Sequence, residues 1–294
     1  MRKFFIFVLF LASSLFAWWD TEHMVIAKIA YMNMDENAKK KSEDLVEELA
    51  EFYPSTSTFV TASTWADEVA NRGFPPGWKW HTYKRVYDPN HIVSEKTKKT
   101  ILEKAGKNDA IFGIRQAIAT LKNKQATRFE QAIMFRYLIH IVGDIHMPLH
   151  CGSLYNQEFP KSDFSGAKYP LLLKTEKKSL HAFWDGCLGR DVKRLKIPLT
   201  KEGEKVVEEF AKEVVVLFPK ESLVEIHEMN ISHWAEESFS IVENSVYVGI
   251  SPNTVPTKEY IEKNRKIAFQ RLALAGYRLA KLLNEIFYIP PNGE

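Results

Sequence analysis

A mainly α, single-domain fold is what this sequence predicts. Apolar residues recur at three- and four-residue spacing over most of its length, strand-like alternation is confined to one short piece, and no repeat, low-complexity tract or linker divides the chain. Residues 1–17 come first and read as a secretory signal. Arg2 and Lys3 form a charged start, Phe4 to Ala12 an apolar run, and Leu15 and Ala17 the −3 and −1 positions of a cleavage site before Trp18. The apolar run is shorter than the ~20 residues a membrane span needs. The expected product is therefore a domain over 18–294, secreted or periplasmic, monomeric and without stable membrane association.

The stretches 23–34 and 38–53 follow as amphipathic helices. The stretch 126–147 is apolar nearly all round in its second half, as a buried central helix would be, and Pro148 ends it. Residues 152–178 are rich in Gly, Ser, Tyr and Pro and hold the strand-like "YPLLLKT", which predicts a long loop with a small hairpin. A long amphipathic helix over 258–287 closes the domain.

Composition narrows the function. The formal charge of +3 over 294 residues falls to +1 once Arg2 and Lys3 are removed, which argues against a broad basic face for polyanions. The two cysteines, Cys151 and Cys187, predict one disulfide in an exported chain, since no CxxC spacing marks them as thiolate ligands.

The histidines are unevenly placed. In "HIVGDIHMPLH" His140 and Asp144 stand four apart, on one face of a helix, and His150 follows the proline break. "SLHAFWDG" repeats the device with His181 and Asp185, "TWADEV" offers Asp67, "KWHTY" His81 and "WWDTEH" His23. Imidazole and carboxylate together suit zinc. An ionised Asp144 inside an apolar helix is costly unless paired or coordinated. The alternative is a set of His–Asp hydrogen bonds within the core.

The order Trp-x4-His, WAD, WH, HxxxDxHxPLH and LHxxWD resembles the zinc-dependent single-strand nucleases of the S1/P1 type, and "HWAEESFSIVENSVY" and "AGYRLAKLLN" resemble their C-terminal half. The resemblance implies a helical fold round three zinc ions and hydrolysis of single-stranded DNA and RNA to 5′-phosphate products, with 3′-nucleotidase activity in some members. It implies one zinc held by Asp67, His81, His140 and Asp144, and a second by His150, His181 and Asp185. The third takes His23, Asp144 as a bridge, and the amino nitrogen and carbonyl oxygen of Trp18, so that signal cleavage itself would create a ligand. Asp67 is further implied to orient the attacking water. Three Zn²⁺ against Asp67, Asp144 and Asp185 leave a local charge of +3, which supplies the attraction for phosphate that the overall charge does not.

The chain departs from that pattern in three places. Ala70 stands where a basic residue is usual, with Arg72 two positions on; Thr82 stands where an aromatic is common; and "SGAK" at 165–168 replaces a Gly-Gly-Asn stretch. Tyr83, Tyr155 and Trp184 are the candidate surfaces for stacking a base. His146 is expected to support the site from behind, Cys151 and Cys187 to brace the second zinc, and Asn230 to be a glycosylation acceptor if the source glycosylates its secreted proteins. Zinc-dependent phospholipase C, which shares a trinuclear site and an N-terminal Trp, is the alternative enzyme. The longer Trp–His gap of those enzymes, and their Glu in place of Asp185, weigh against it. A metal-binding protein without catalysis is the remaining reading, and no missing ligand favours it.

Overall fold

The structure, a computed structural model, describes residues 18–290 apart from 105, 174–175 and 191–194; the signal over 1–17 lies outside the described residues. Its helices are α1 (Asp20–Asn33), α2 (Glu36–Glu47), α3 (Phe59–Ala62), α4 (Trp65–Asn71), α5 (Glu95–Leu102) and α6 (Ala110–Lys122). After them come α7 (Arg128–Asp144), α8 (Pro148–Cys151), α9 (Leu180–Asp185), α10 (Lys201–Leu217), α11 (Ile231–Ile241) and α12 (Lys258–Ile286). The strands are short: β1 (Val86–Tyr87) pairs in parallel with β2 (Ser153–Leu154), and β3 (Pro170–Leu172) pairs antiparallel with β4 (Lys177–Ser179). The mainly α expectation holds, and the first strand of the hairpin falls within "YPLLLKT" while the second follows it at Lys177–Ser179.

Helix α7 is the axis. Thr127 caps its start and Glu130 returns the bond to the Thr127 N–H, closing a capping box. From Phe135 to Asp144 every residue is buried, so the helix is enclosed on all sides by α6, α2, α4, α1 and α12. Helix α1 packs on α12 and α10. Two glycines permit the close approaches. A Cβ on Gly276 would lie 2.6 Å from the Cβ of Ile29, and one on Gly143 would lie 2.9 Å from the ring of His23. The predicted helix over 38–53 is shorter than expected and ends at Glu47, where residues 48–52 turn away. Helices α6 and α10 are further amphipathic elements that the sequence reading did not single out.

Two polar networks cross the core. Arg136, fully buried, donates to the carbonyls of Thr56 and Val46 and to the Thr56 hydroxyl, tying α7 to the α2–α3 connection. Behind the C-terminal end of α7, Glu237 receives Arg278 through both its oxygens at 2.7 Å and Arg271 at 3.0 Å. Arg271 also donates to the carbonyl of His146 and to the Ser238 hydroxyl, and Ser238 in turn donates to the carbonyl of Ile145. His146 donates from Nδ1 to the Val142 carbonyl and accepts Arg278 at Nε2, 3.0 Å away. Burial, then Arg271 and Arg278, hold its pKa well below the usual range, so it stays a neutral acceptor. This network fixes the turn between α7 and α8, the supporting part expected of His146.

Cys151 and Cys187 correct an expectation, for both are free, buried thiols. The Cys151 Sγ donates to the Ile145 carbonyl at 3.4 Å and faces Arg271 and Ser238. Cys187 sits instead among Glu22, Arg190 and Arg265. The two have different neighbours and form no bridge. Burial pushes both thiols above their ordinary pKa, so they pack as small apolar groups.

Glu237→Ala leaves two buried guanidinium groups without their carboxylate. It is expected to cost about 3–5 kcal/mol and to lower the melting temperature by about 10 °C, measured by calorimetry.

Candidate metal centre

Four helix ends and one turn converge at the foot of α7. His140 and Asp144 lie one turn apart on α7, His23 in the first turn of α1, Asp67 in the first turn of α4, and His81 at the end of the 3₁₀ turn Gly77–His81. Pro148 takes the first position of α8, where its missing N–H costs nothing, and the chain reverses so that His150 faces back. His181 and Asp185 share one face of α9, whose start Ser179 caps. All eight are buried.

The donor atoms meet in three groups: His23, His140 and Asp144; Asp67, His81 and His140; and His150, His181 and Asp185. Asp144 joins the first two, with Oδ1 3.2 Å from His23 Nε2 and Oδ2 3.0 Å from His81 Nδ1 and 3.3 Å from His140 Nε2. Asp67 Oδ1 lies 3.4 Å from His81 Nδ1 and from His140 Nε2, and His181 Nε2 lies 3.4 Å from Asp185 Oδ2. Ligands about 2.0–2.1 Å from a tetrahedral zinc are separated by ~3.3 Å along each edge, so these spacings are those of a coordination shell.

Three of the five histidines of the cluster have their outer nitrogen engaged, while His23 Nδ1 and His81 Nε2 are buried without a hydrogen-bond partner among the described residues. His140 Nδ1 bonds the Ser63 carbonyl and His181 Nδ1 the Ser165 carbonyl, each at 2.6 Å, while His150 Nδ1 bonds the carbonyl of His81. A backbone carbonyl can only accept, so each ring carries its proton outward and turns the Nε2 lone pair inward. Among the described residues, His23 Nε2, His150 Nε2, Asp67 Oδ1, both oxygens of Asp144 and Asp185 Oδ1 are buried without a hydrogen-bond partner. Leaving that many polar atoms unsatisfied is expensive, and a cation satisfies all of them. The residues fit zinc.

The electrostatics agree. Burial pushes the Asp144 carboxyl up, but His140, His23 and His81 together outweigh it and hold the group well below its usual range; Asp67 is lowered by the same three histidines against its burial. Burial pulls the imidazole of His140 down, yet Asp144 and Asp67 raise it well above 6.5. Burial lowers His23, with His140 adding to the effect, and it lowers His150. Asp185 is pushed well above the carboxylate range by burial, then by Glu22, Asp67 and Asp144. Glu22 was not foreseen; buried beside these groups, it is pushed up to about 8 by desolvation.

Trp18 is fully buried and donates its indole N–H to the Gly143 carbonyl at 3.1 Å, while the N–H of Trp19 donates to the Asp185 carbonyl at 3.3 Å. Residues Trp18 and Trp19 are thus pinned to the carbonyls of Gly143 and Asp185, each adjacent to or part of a donor residue. Ala70 is buried and Arg72 is tied to Glu68 at 2.5 Å on the surface. The loop 165–168 serves His181 through its main chain: Ser165 and Gly166, both at positive φ, supply carbonyls to the His181 ring and N–H.

The stacking candidates are partly corrected. Tyr83 is buried with its hydroxyl donating to Glu236, and Trp184 is fully buried with its indole donating to Tyr260, so neither face meets a base. Tyr155 does line a cavity of about 350 Å³ that reaches His81, together with Trp78 and Phe164. Phe164 is 46% exposed at a positive φ, with the Lys168 ammonium 3.9 Å from its ring. The aromatic Trp78, three residues before His81, was the available signal; nothing in the sequence marked Phe164. His91, His227 and His233 belong to none of the three donor groups.

The profile of the S1/P1 nuclease family matches residues 18–288. Endonuclease 2 of Arabidopsis thaliana is 24% identical over 300 residues, covering 96% of this chain and 94% of the relative. Endonuclease 3 of the same plant is 23% identical, covering 94% and 91%. Endonuclease 4 is 24% identical, covering 99% and 97%.

Asp144→Ala removes the carboxylate common to two donor groups, whereas Asp185→Ala removes one from the third. Plasma mass spectrometry is expected to find about two zinc ions lost per chain in the first variant and about one in the second. Equal losses would separate Asp144 from its bridging position.

Proposed function

Because this chain belongs to the S1/P1 nuclease family, we propose that it hydrolyses single-stranded DNA and RNA to products carrying 5′-phosphates, with 3′-nucleotidase activity on terminal monoesters. The chain is a nuclease, a hydrolase of phosphoester bonds, and the family is zinc-dependent. The observation that carries the finer reading is the cavity at His81, where Lys79, Lys84, Arg85 and Lys161 stand among Trp78, Tyr155 and Phe164. Cations beside aromatic faces suit a strand with unpaired bases, because stacking contributes about 1–3 kcal/mol per base with little regard to sequence.

Three zinc ions are proposed, held as the donor groups suggest: one by Asp67, His81, His140 and Asp144; one by His23, Asp144 and the main chain of Trp18; one by His150, His181 and Asp185. When bound, zinc supplies positive charge for the phosphate and the acidity that brings a coordinated water's pKa towards ~7. The chain's own residues do the rest. Asp67 orients the attacking water towards phosphorus, Asp144 fixes the spacing of the two groups it joins, and the lysines neutralise the strand as it enters. The relatives named endonucleases support internal cleavage. Zinc-dependent phospholipase C activity has no support in these comparisons.

Export is proposed to complete the site, since Trp18 offers a free amino nitrogen only after cleavage at Ala17. No helix among the described residues is long and apolar enough to cross a membrane. A monomer secreted or held in the periplasm is the accompanying proposal.

Protein beginning at Trp18 is expected to release 5′-mononucleotides from single-stranded DNA and RNA, to leave phosphatidylcholine intact, and to lose at least 100-fold activity in a chelator. Lipid cleavage without nucleic-acid cleavage would overturn the substrate assignment.

A further inference from the structure

A second cavity, of about 620 Å³, adjoins the one at His81 and shares Lys79, Thr82, Lys84 and Ile101 with it. Its far wall carries Lys104 and Lys107, from the turn after α5. Together the two hollows form a trough that starts at the metal centre and runs outward past exposed lysines. Lys79, Lys84, Lys104, Lys107 and Lys161 have no ion-pair partner among the described residues. The acid that lines the outer cavity, Asp109, is buried and committed: it caps α6 through the Phe112 N–H and receives the Gly106 N–H. Asn108 is likewise engaged, by the indole of Trp80 at 3.0 Å. Glu236, near the inner cavity, is taken by Arg85 and Tyr83. Among the described residues that line it, the trough therefore presents cations without a free carboxylate to answer them.

We propose that this trough binds the phosphodiester backbone of a single strand beyond the cleaved linkage, making the enzyme's selectivity favour long strands over dinucleotides. The inference rests on the nuclease reading for its occupant and on the unpaired lysines for its path. Charge decides the matter locally: a chain with almost no net charge holds a polyanion only where its cations are gathered and unopposed. Lys104 and Lys107 lie outside the cavity at His81, so a dinucleotide held at the metal centre does not need them, and a strand several nucleotides long does.

The test uses zinc-loaded protein and the double variant Lys104→Ala/Lys107→Ala. The ratio of kcat/KM for dT20 to that for a dinucleotide is expected to fall roughly tenfold. Anisotropy titrations of a non-cleavable phosphorothioate dT20 are expected to show a salt slope shallower by about 1.4, two contacts at ~0.7 each. An unchanged ratio, or an equal loss on both substrates with an unchanged salt slope, would overturn the trough while leaving the nuclease standing. Wild-type protein that cleaves neither substrate, yet binds dT20 with the lysine-dependent slope, would instead overturn the nuclease reading and leave the trough standing.

Discussion

Eight imidazole and carboxylate side chains face one another at the foot of α7 with almost no access to water, and this crowding of lone pairs is what the rest of the molecule is arranged around. Such a cluster costs several kcal/mol for each unsatisfied group unless cations occupy its centre. Asp144 bears the greatest share, with both oxygens turned to imidazoles and neither in a hydrogen bond. Helix α7 is enclosed on all sides because it must deliver this carboxylate into a dry interior.

The support is mostly main chain. Carbonyls of Ser63, Ser165 and His81 set the direction of three rings, and the Gly143 carbonyl holds the indole of Trp18. Gly143 also lacks the Cβ that would strike His23. Behind the turn from Ile145 to Pro148, the Arg271–Glu237–Arg278 network locks the backbone that carries Asp144 on one side and His150 on the other. A rigid frame of this kind keeps donor spacings near those a metal requires, so little ordering remains to be done on binding.

The sequence made the donors legible because helical spacing is a local property. His140 with Asp144 and His181 with Asp185 each occupy one face by arithmetic alone. The central and C-terminal helices were legible for the same reason. What stayed hidden depends on tertiary placement. Carbonyl partners carry no side-chain signal, so the service of the 165–168 loop to His181 could not be read from "SGAK". Tyr83 and Trp184 looked like stacking surfaces in sequence but spend their polar tips inside the core. Cys151 and Cys187 looked like a pair because there were two of them, and the fold points them at different neighbours. The basic trough was hidden by an almost neutral total, since net charge says nothing about which lysines lie together unpaired.

A buried cluster of this kind is tenable only around metal. Thermal unfolding of the chain that begins at Trp18, loaded with zinc and after exhaustive chelation, tests this most directly. A metal present at 1,000 times its dissociation constant stabilises by about 4 kcal/mol, so the loaded protein should melt about 10 °C higher, and zinc should restore the difference. Identical melting curves would contradict the account, for they would mean that the His–Asp cluster is satisfied by its own hydrogen bonds.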